Sequence, residues 1–198
     1  MPPLLEAYNY GGLWGWVGNL VQGTLGIFAL GNDTTTNIYT YSGNTVVAGT
    51  VLTATQKIGA AAGTSTLGVF ALGNGTTTTN IYTYSGNTVV AGTALTVTVE
   101  YNNAAAGNST LGIFPQGQTT TTNVYTYSGN TVVAGTALTG VLSQGAAAGT
   151  PTLGVFALGD TSTTNIYTYS GNTVVAGTAL TGVLSQGAAA GNYNGGLS

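Results

Sequence analysis

The chain has 198 residues, and only 3% of them are charged: one Lys, four carboxylates, no Arg and no His, for a net charge of −3. That balance leaves no cationic surface to neutralise phosphates, which excludes nucleic acid and anionic membranes as partners. The absence of Cys removes disulfides and thiolate metal sites, and no apolar run reaches the roughly 20 residues of a spanning helix without polar or glycine interruption.

Residues 1–22 are written once. They hold both tryptophans, and Tyr8, Tyr10, Trp14 and Trp16 cluster within them. Trp and Tyr are the usual anchors of protein interfaces. The segment is therefore expected either to pack as a lid on the rest of the chain or to dock as an arm on a neighbouring subunit. The start has no basic region of the kind that opens a secretory signal peptide, so none is predicted.

Residues 23–198 form one predicted domain made of four copies of one unit. The phrase Tyr-Thr-Tyr-Ser-Gly-Asn-Thr-Val-Val-Ala-Gly-Thr begins at Tyr39, Tyr82, Tyr125 and Tyr167, at spacings of 43, 43 and 42 residues. Thr-Leu-Gly-(Ile/Val)-Phe ends at Phe28, Phe70, Phe114 and Phe156, and Ala-Ala-Ala-Gly ends at Gly63, Gly107, Gly149 and Gly191. A period of this length signals a solenoid, a propeller or an array.

Within a unit the elements follow in order. Taking the last as the type, Ala146 to Gly149 is a smooth strand with almost no side chains. Thr152 to Leu158 is apolar on both faces, as in a strand covered on both sides. Gly159 to Ser162 reads as a turn. Asn165 to Tyr169 is a β-branched and aromatic strand. Ser170 to Asn172 is a hairpin turn of the Gly-Asn type, Thr173 to Thr178 a fourth strand, and Ala179 to Gln186 the link onward. Helical periodicity is absent, so the class is all-β. Four short strands per forty-odd residues is the mark of a β-propeller blade, and small Ala-Ala-Ala-Gly strands suit the crowded axis.

Those residues carry a resemblance. Ala-Ala-Ala-Gly, then Gly-(Ile/Val)-Phe-Ala-Leu-Gly, then Asn-(Ile/Val)-Tyr-Thr-Tyr-Ser-Gly-Asn-Thr-Val resembles kelch-type propeller repeats. The likeness is to the low-complexity kelch-like repeats of bacterial and phage proteins, over residues 24–191. The double glycine usual after the second strand is Leu-Gly here, and Gln116-Gly117 in the third copy. The resemblance implies four-stranded blades, about four to the chain. Repeat phase adds a route to closure: the first copy lacks its Ala-Ala-Ala-Gly strand and the chain ends just after a surplus one, so the C-terminal strand is expected to close the ring. Two chains forming one eight-bladed ring is the alternative.

Chemistry is scarce. The acids Glu6, Asp33, Glu100 and Asp160 are scattered singly, and Asp33 and Asp160 fall at equivalent turns. General acid–base work asks for His or paired carboxylates, so no catalytic residue, cofactor or metal is predicted and the chain is read as a non-enzyme. Lys57 and Glu100 occupy roughly equivalent places in consecutive copies and are expected to make a surface ion pair at most. The Asn-X-Thr matches at Asn32, Asn74 and Asn108 follow from composition, and the Thr runs are read as turns and edges. The expected function is structural: an assembly protein that packs with itself or other structural subunits. The resemblance points to a bacteriophage virion component (decoration, spike or tail-associated), located in a virion or extracellular assembly. The alternative is a lectin-like module holding a neutral glycan through Tyr and Asn at each repeat's loop. With no group titrating near neutrality, stability is expected to stay flat from about pH 5 to 9.

Overall fold

The computed structural model describes residues 24–57, 59–73, 75–100 and 104–190. They form fifteen strands and no helix. The first sheet has β1 (Leu25–Ala29), β2 (Thr36–Thr40) and β3 (Thr45–Ala48). The second has β4 (Ala60–Gly63), β5 (Leu67–Ala71), β6 (Thr79–Thr83) and β7 (Thr88–Ala91). The third has β8 (Ala106–Gly107), β9 (Leu111–Pro115), β10 (Thr122–Thr126) and β11 (Thr131–Gly135). The fourth has β12 (Ala146–Gly149), β13 (Leu153–Ala157), β14 (Thr164–Thr168) and β15 (Thr173–Ala176). Each sheet is an antiparallel meander in chain order, one repeat to a sheet.

The all-β reading and its unit boundaries match this arrangement, with two differences of detail. The third strand of the type unit ends at Thr168, so Tyr169 opens a four-residue hairpin loop closed on the Thr168–Thr173 pair. The left-handed residue of that loop is Asn172 (φ 48), not Gly171, and Asn44, Asn87 and Asn130 repeat it. Four-residue hairpins are built around ordinary turns that need no glycine in their centre.

Within a sheet the register sets which side chains share a face. Phe70 lies opposite Asn80, and Gly68 opposite Tyr82, while Val69 lies opposite Ile81. Side chains alternate across a strand, so Phe70, Asn80 and Tyr82 share one face and Val69 and Ile81 the other. The first face packs on the preceding sheet and the second on the following sheet. Three core clusters result. Ile38 and Leu52 pack with Phe70 and Tyr82; Val69 and Leu95 with Phe114 and Tyr125; Ile113 and Leu138 with Phe156 and Tyr167.

The glycine in Leu-Gly-(Ile/Val)-Phe follows from this packing. A Cβ on Gly112 would stand 3.0 Å from Ala62 Cβ, and one on Gly154 2.8 Å from Ala106 Cβ, both on the preceding sheet. The links between sheets are pinned to the turns of their own repeat by isolated pairings at Asp33–Gln56, Thr76–Val99 and Thr161–Leu184. Among the described residues Lys57 and Glu100 form no ion pair, and the links are held by these backbone pairings.

Candidate functional site

A polar clasp recurs at all three junctions between successive sheets. The backbone N–H of Thr50 donates to Tyr82 Oη at 3.1 Å and to Asn87 Oδ1 at 2.9 Å on the next sheet. The hydroxyl of Thr50 donates to the Asn87 carbonyl. Three residues on, the N–H of Thr53 donates to Asn80 Oδ1 at 2.7 Å, and Asn80 Nδ2 returns a bond to Thr53 Oγ1 at 2.7 Å. Leu52 fills the space between the two contacts and is buried. The same set joins Thr93 and Thr96 to Tyr125, Asn130 and Asn123. It recurs as Thr136 and Thr139 on Tyr167, Asn172 and Asn165.

Local chemistry prepares each half. The left-handed backbone at Asn87, Asn130 and Asn172 brings the carboxamide back over the hairpin, where its Oδ1 accepts from the tyrosine five residues earlier. Asparagine tolerates that conformation better than other non-glycine residues. On the other half, Thr79 Oγ1 donates to the Thr93 carbonyl at 2.9 Å, which fixes the segment that carries the donor. Gly92 lies between them. A Cβ there would meet Thr79 Oγ1 at 2.4 Å and Tyr125 Oη at 2.5 Å.

Burial raises the phenol pKa of Tyr125 and Tyr167, opposed by their hydrogen bonds to Thr residues of the preceding sheet. Tyr84 and Tyr169, one place further along the same faces, are pushed by burial up to about 12. Tyr127 is raised by burial and by the nearby phenols of Tyr169 and Tyr84. All of these tyrosines are neutral at physiological pH. Hydrogen bonds from Thr35 and Thr34 hold the Asp33 carboxyl below the usual carboxylate range.

The small-residue strands meet at a cavity of about 270 Å³, lined by residues 59–61, 104–105, 145–147 and 187–189. Every described residue of the lining is Ala or Gly, so these offer only backbone N–H and C=O groups as polar contacts. Such a wall has no acid, base or nucleophile to present. Among the described residues no cluster of three His, Cys, Asp or Glu side chains could hold a metal ion, and no helix is long and apolar enough to cross a membrane.

The candidate interface residues Tyr8, Tyr10, Trp14 and Trp16 lie outside the described residues. What sequence reasoning missed is the clasp: Thr50, Asn80, Asn87 and their equivalents read as turn and strand residues, yet they join the sheets. The signal was present in their joint recurrence, since Asn-(Ile/Val)-Tyr-Thr-Tyr-Ser-Gly-Asn and Ala-Gly-Thr-(Val/Ala)-Leu-Thr recur together in each copy. No protein-family model matches the chain, and comparison with curated proteins finds no match.

Proposed function

We propose that this chain is a non-enzymatic assembly protein, a kelch-like β-propeller of four-stranded blades that acts by packing against copies of itself or other structural subunits. The observation that carries this reading is the state of its two end sheets. Phe28, Leu30 and Tyr41 on the first sheet, and Leu180 after the last, are exposed, whereas Phe70, Leu72, Tyr127 and Leu138 at equivalent places are buried. A chain with five charged side chains does not ordinarily keep such surface in water. Covered surface is the simplest account.

The propeller reading draws support from a cavity on which four small-residue stretches converge. The inner strand missing from the first sheet is spelled at residues 188–191, so a ring can be completed by that strand. A place in a virion remains the setting that the kelch-like resemblance suggests. The glycan alternative draws less support, because the Tyr and Asn it would use are engaged within the protein: Tyr82, Tyr125 and Tyr167 are buried and bonded to Asn87, Asn130 and Asn172.

Light scattering on the purified full chain tests the reading. A species heavier than one chain is expected. A monodisperse single chain up to high concentration would remove it. Electron-microscopic views down the axis of the assembled species then count blades directly.

A further inference from the structure

The two uncovered end faces are not merely apolar; they are the two halves of the seam that the molecule already builds three times. On the first sheet stand Asn37, Tyr39 and Asn44, equivalent to Asn80, Tyr82 and Asn87. Tyr39 Oη is bonded only to its own Asn44, and Asn37 Nδ2 to the neighbouring Thr36 carbonyl at 2.9 Å. Neither Asn44 Oδ1 nor Asn37 Oδ1 receives the backbone N–H that its counterparts receive from a preceding sheet. After the last sheet stand Thr178, Leu180 and Thr181, equivalent to Thr50, Leu52 and Thr53. Thr164 Oγ1 bonds the Thr178 carbonyl at 2.8 Å, so this half is braced as the internal ones are.

Exposure marks the difference. Leu52, Leu95 and Leu138 are each 3% exposed, and Leu180 is 40%. Phe156 is 0% exposed and Phe28 is 54%. Closure of the chain on itself would bury Leu180 and Phe28 against one another, and among the described residues both stand uncovered. From this we infer that the end of the fourth sheet docks on the first sheet of a second copy of the chain. In that seam the Thr178 N–H donates to Tyr39 Oη and Asn44 Oδ1, and the Thr181 N–H donates to Asn37 Oδ1. Leu180 is buried between them. The contact is head-to-tail: a ring forms if the rotation closes and a filament if it does not. The inference rests on the assembly reading and names its partner.

The chain has no cysteine, which makes disulfide trapping clean. In the double variant Asn44→Cys/Thr178→Cys, oxidation is expected to join chains, giving products of two chains or more on a denaturing, non-reducing gel. The control Thr93→Cys/Asn130→Cys carries the same geometry at an internal seam, including the left-handed Asn position (φ 47), and is expected to stay at one chain. Only intrachain product from the end pair, or none while the control oxidises fully, overturns the inference. Leu180→Asp changes an exposed residue of the single chain. It is expected to shift the scattering mass to one chain without loss of the cooperative melt, and an unchanged mass counts against the seam. A heavier-than-one-chain species lacking the end-pair crosslink would leave assembly standing and remove this seam. A single chain throughout would remove both.

Discussion

Asn130 takes a left-handed backbone at φ 47, and its Oδ1 accepts both the Tyr125 hydroxyl and the Thr93 N–H at 2.8 Å. Replacing it with Ala loses those bonds, leaves a half-buried donor without an acceptor, and puts a less tolerant residue in the left-handed region. Asn130→Ala is expected to cost about 2 kcal/mol in chemical denaturation. Asn44→Ala, whose Oδ1 accepts only Tyr39, should cost about half as much when measured on the single chain. Equal costs would show that the seam bond contributes nothing. The glycines make a parallel contrast. Gly129 has no positive φ and a Cβ there would meet Thr131 at an ordinary 3.5 Å, so Gly129→Ala should be neutral or stabilise by up to about 1 kcal/mol. Gly92→Ala would drive a methyl into Thr79 and Tyr125 and should destabilise by about 1–3 kcal/mol. Thermal melts of the two variants side by side decide the point.

At the scale of elements, the Ala-Ala-Ala-Gly strands are tuned by size. Ala147 opposes Phe156 in β12–β13 and is buried in the cluster shared with the third sheet. Ala147→Leu should overpack that space at a cost of about 1–3 kcal/mol, read as a lower denaturation midpoint with an unchanged slope. Much of this was legible in the sequence. Strand number per unit followed from alternating and apolar runs between turn residues, and Ala-Ala-Ala-Gly forms the strand expected of it. What stayed hidden needed a neighbour in space. Asn80, Asn123 and Asn165 read as polar residues opening a strand, and only the approach of Thr53, Thr96 and Thr139 explains their complete burial. Gln116 is another case: it replaces Leu72 and Leu158 of the neighbouring copies, yet it is fully buried, with Oε1 lacking a partner and Nε2 bonded to the Phe114 carbonyl at 2.9 Å. Composition marks such a residue as surface, and the sheet decides otherwise.

For the molecule as a whole, the buried phenols make stability depend on pH at the alkaline end. Unfolded tyrosines lose their protons near pH 10, whereas Tyr84 and Tyr169 hold theirs to about 12 because burial disfavours the phenolate. Between those values the folded state binds more protons than the unfolded one, so stability falls as pH rises. Below pH 10 the contribution of these phenols is fully present. Melting temperature should therefore be level from about pH 5 to 9 and drop through the range from about 10 to 12, with phenolate absorbance rising cooperatively as structure is lost. A loss beginning near neutrality would mean that some other group controls the fold.

The clasp has one more consequence, and it concerns inheritance rather than stability. Because Thr50, Thr93 and Thr136 meet the same three partners in the same way, every junction is chemically interchangeable with every other. Excision of residues 93–135 would join Gly92 to Thr136, restoring the native Gly-Thr phrase, and Thr136 would still engage Tyr167 and Asn172. Whole units can therefore be added or removed without creating an unfamiliar contact at the clasp. The number of repeats is free to drift, while the geometry of each joint stays fixed.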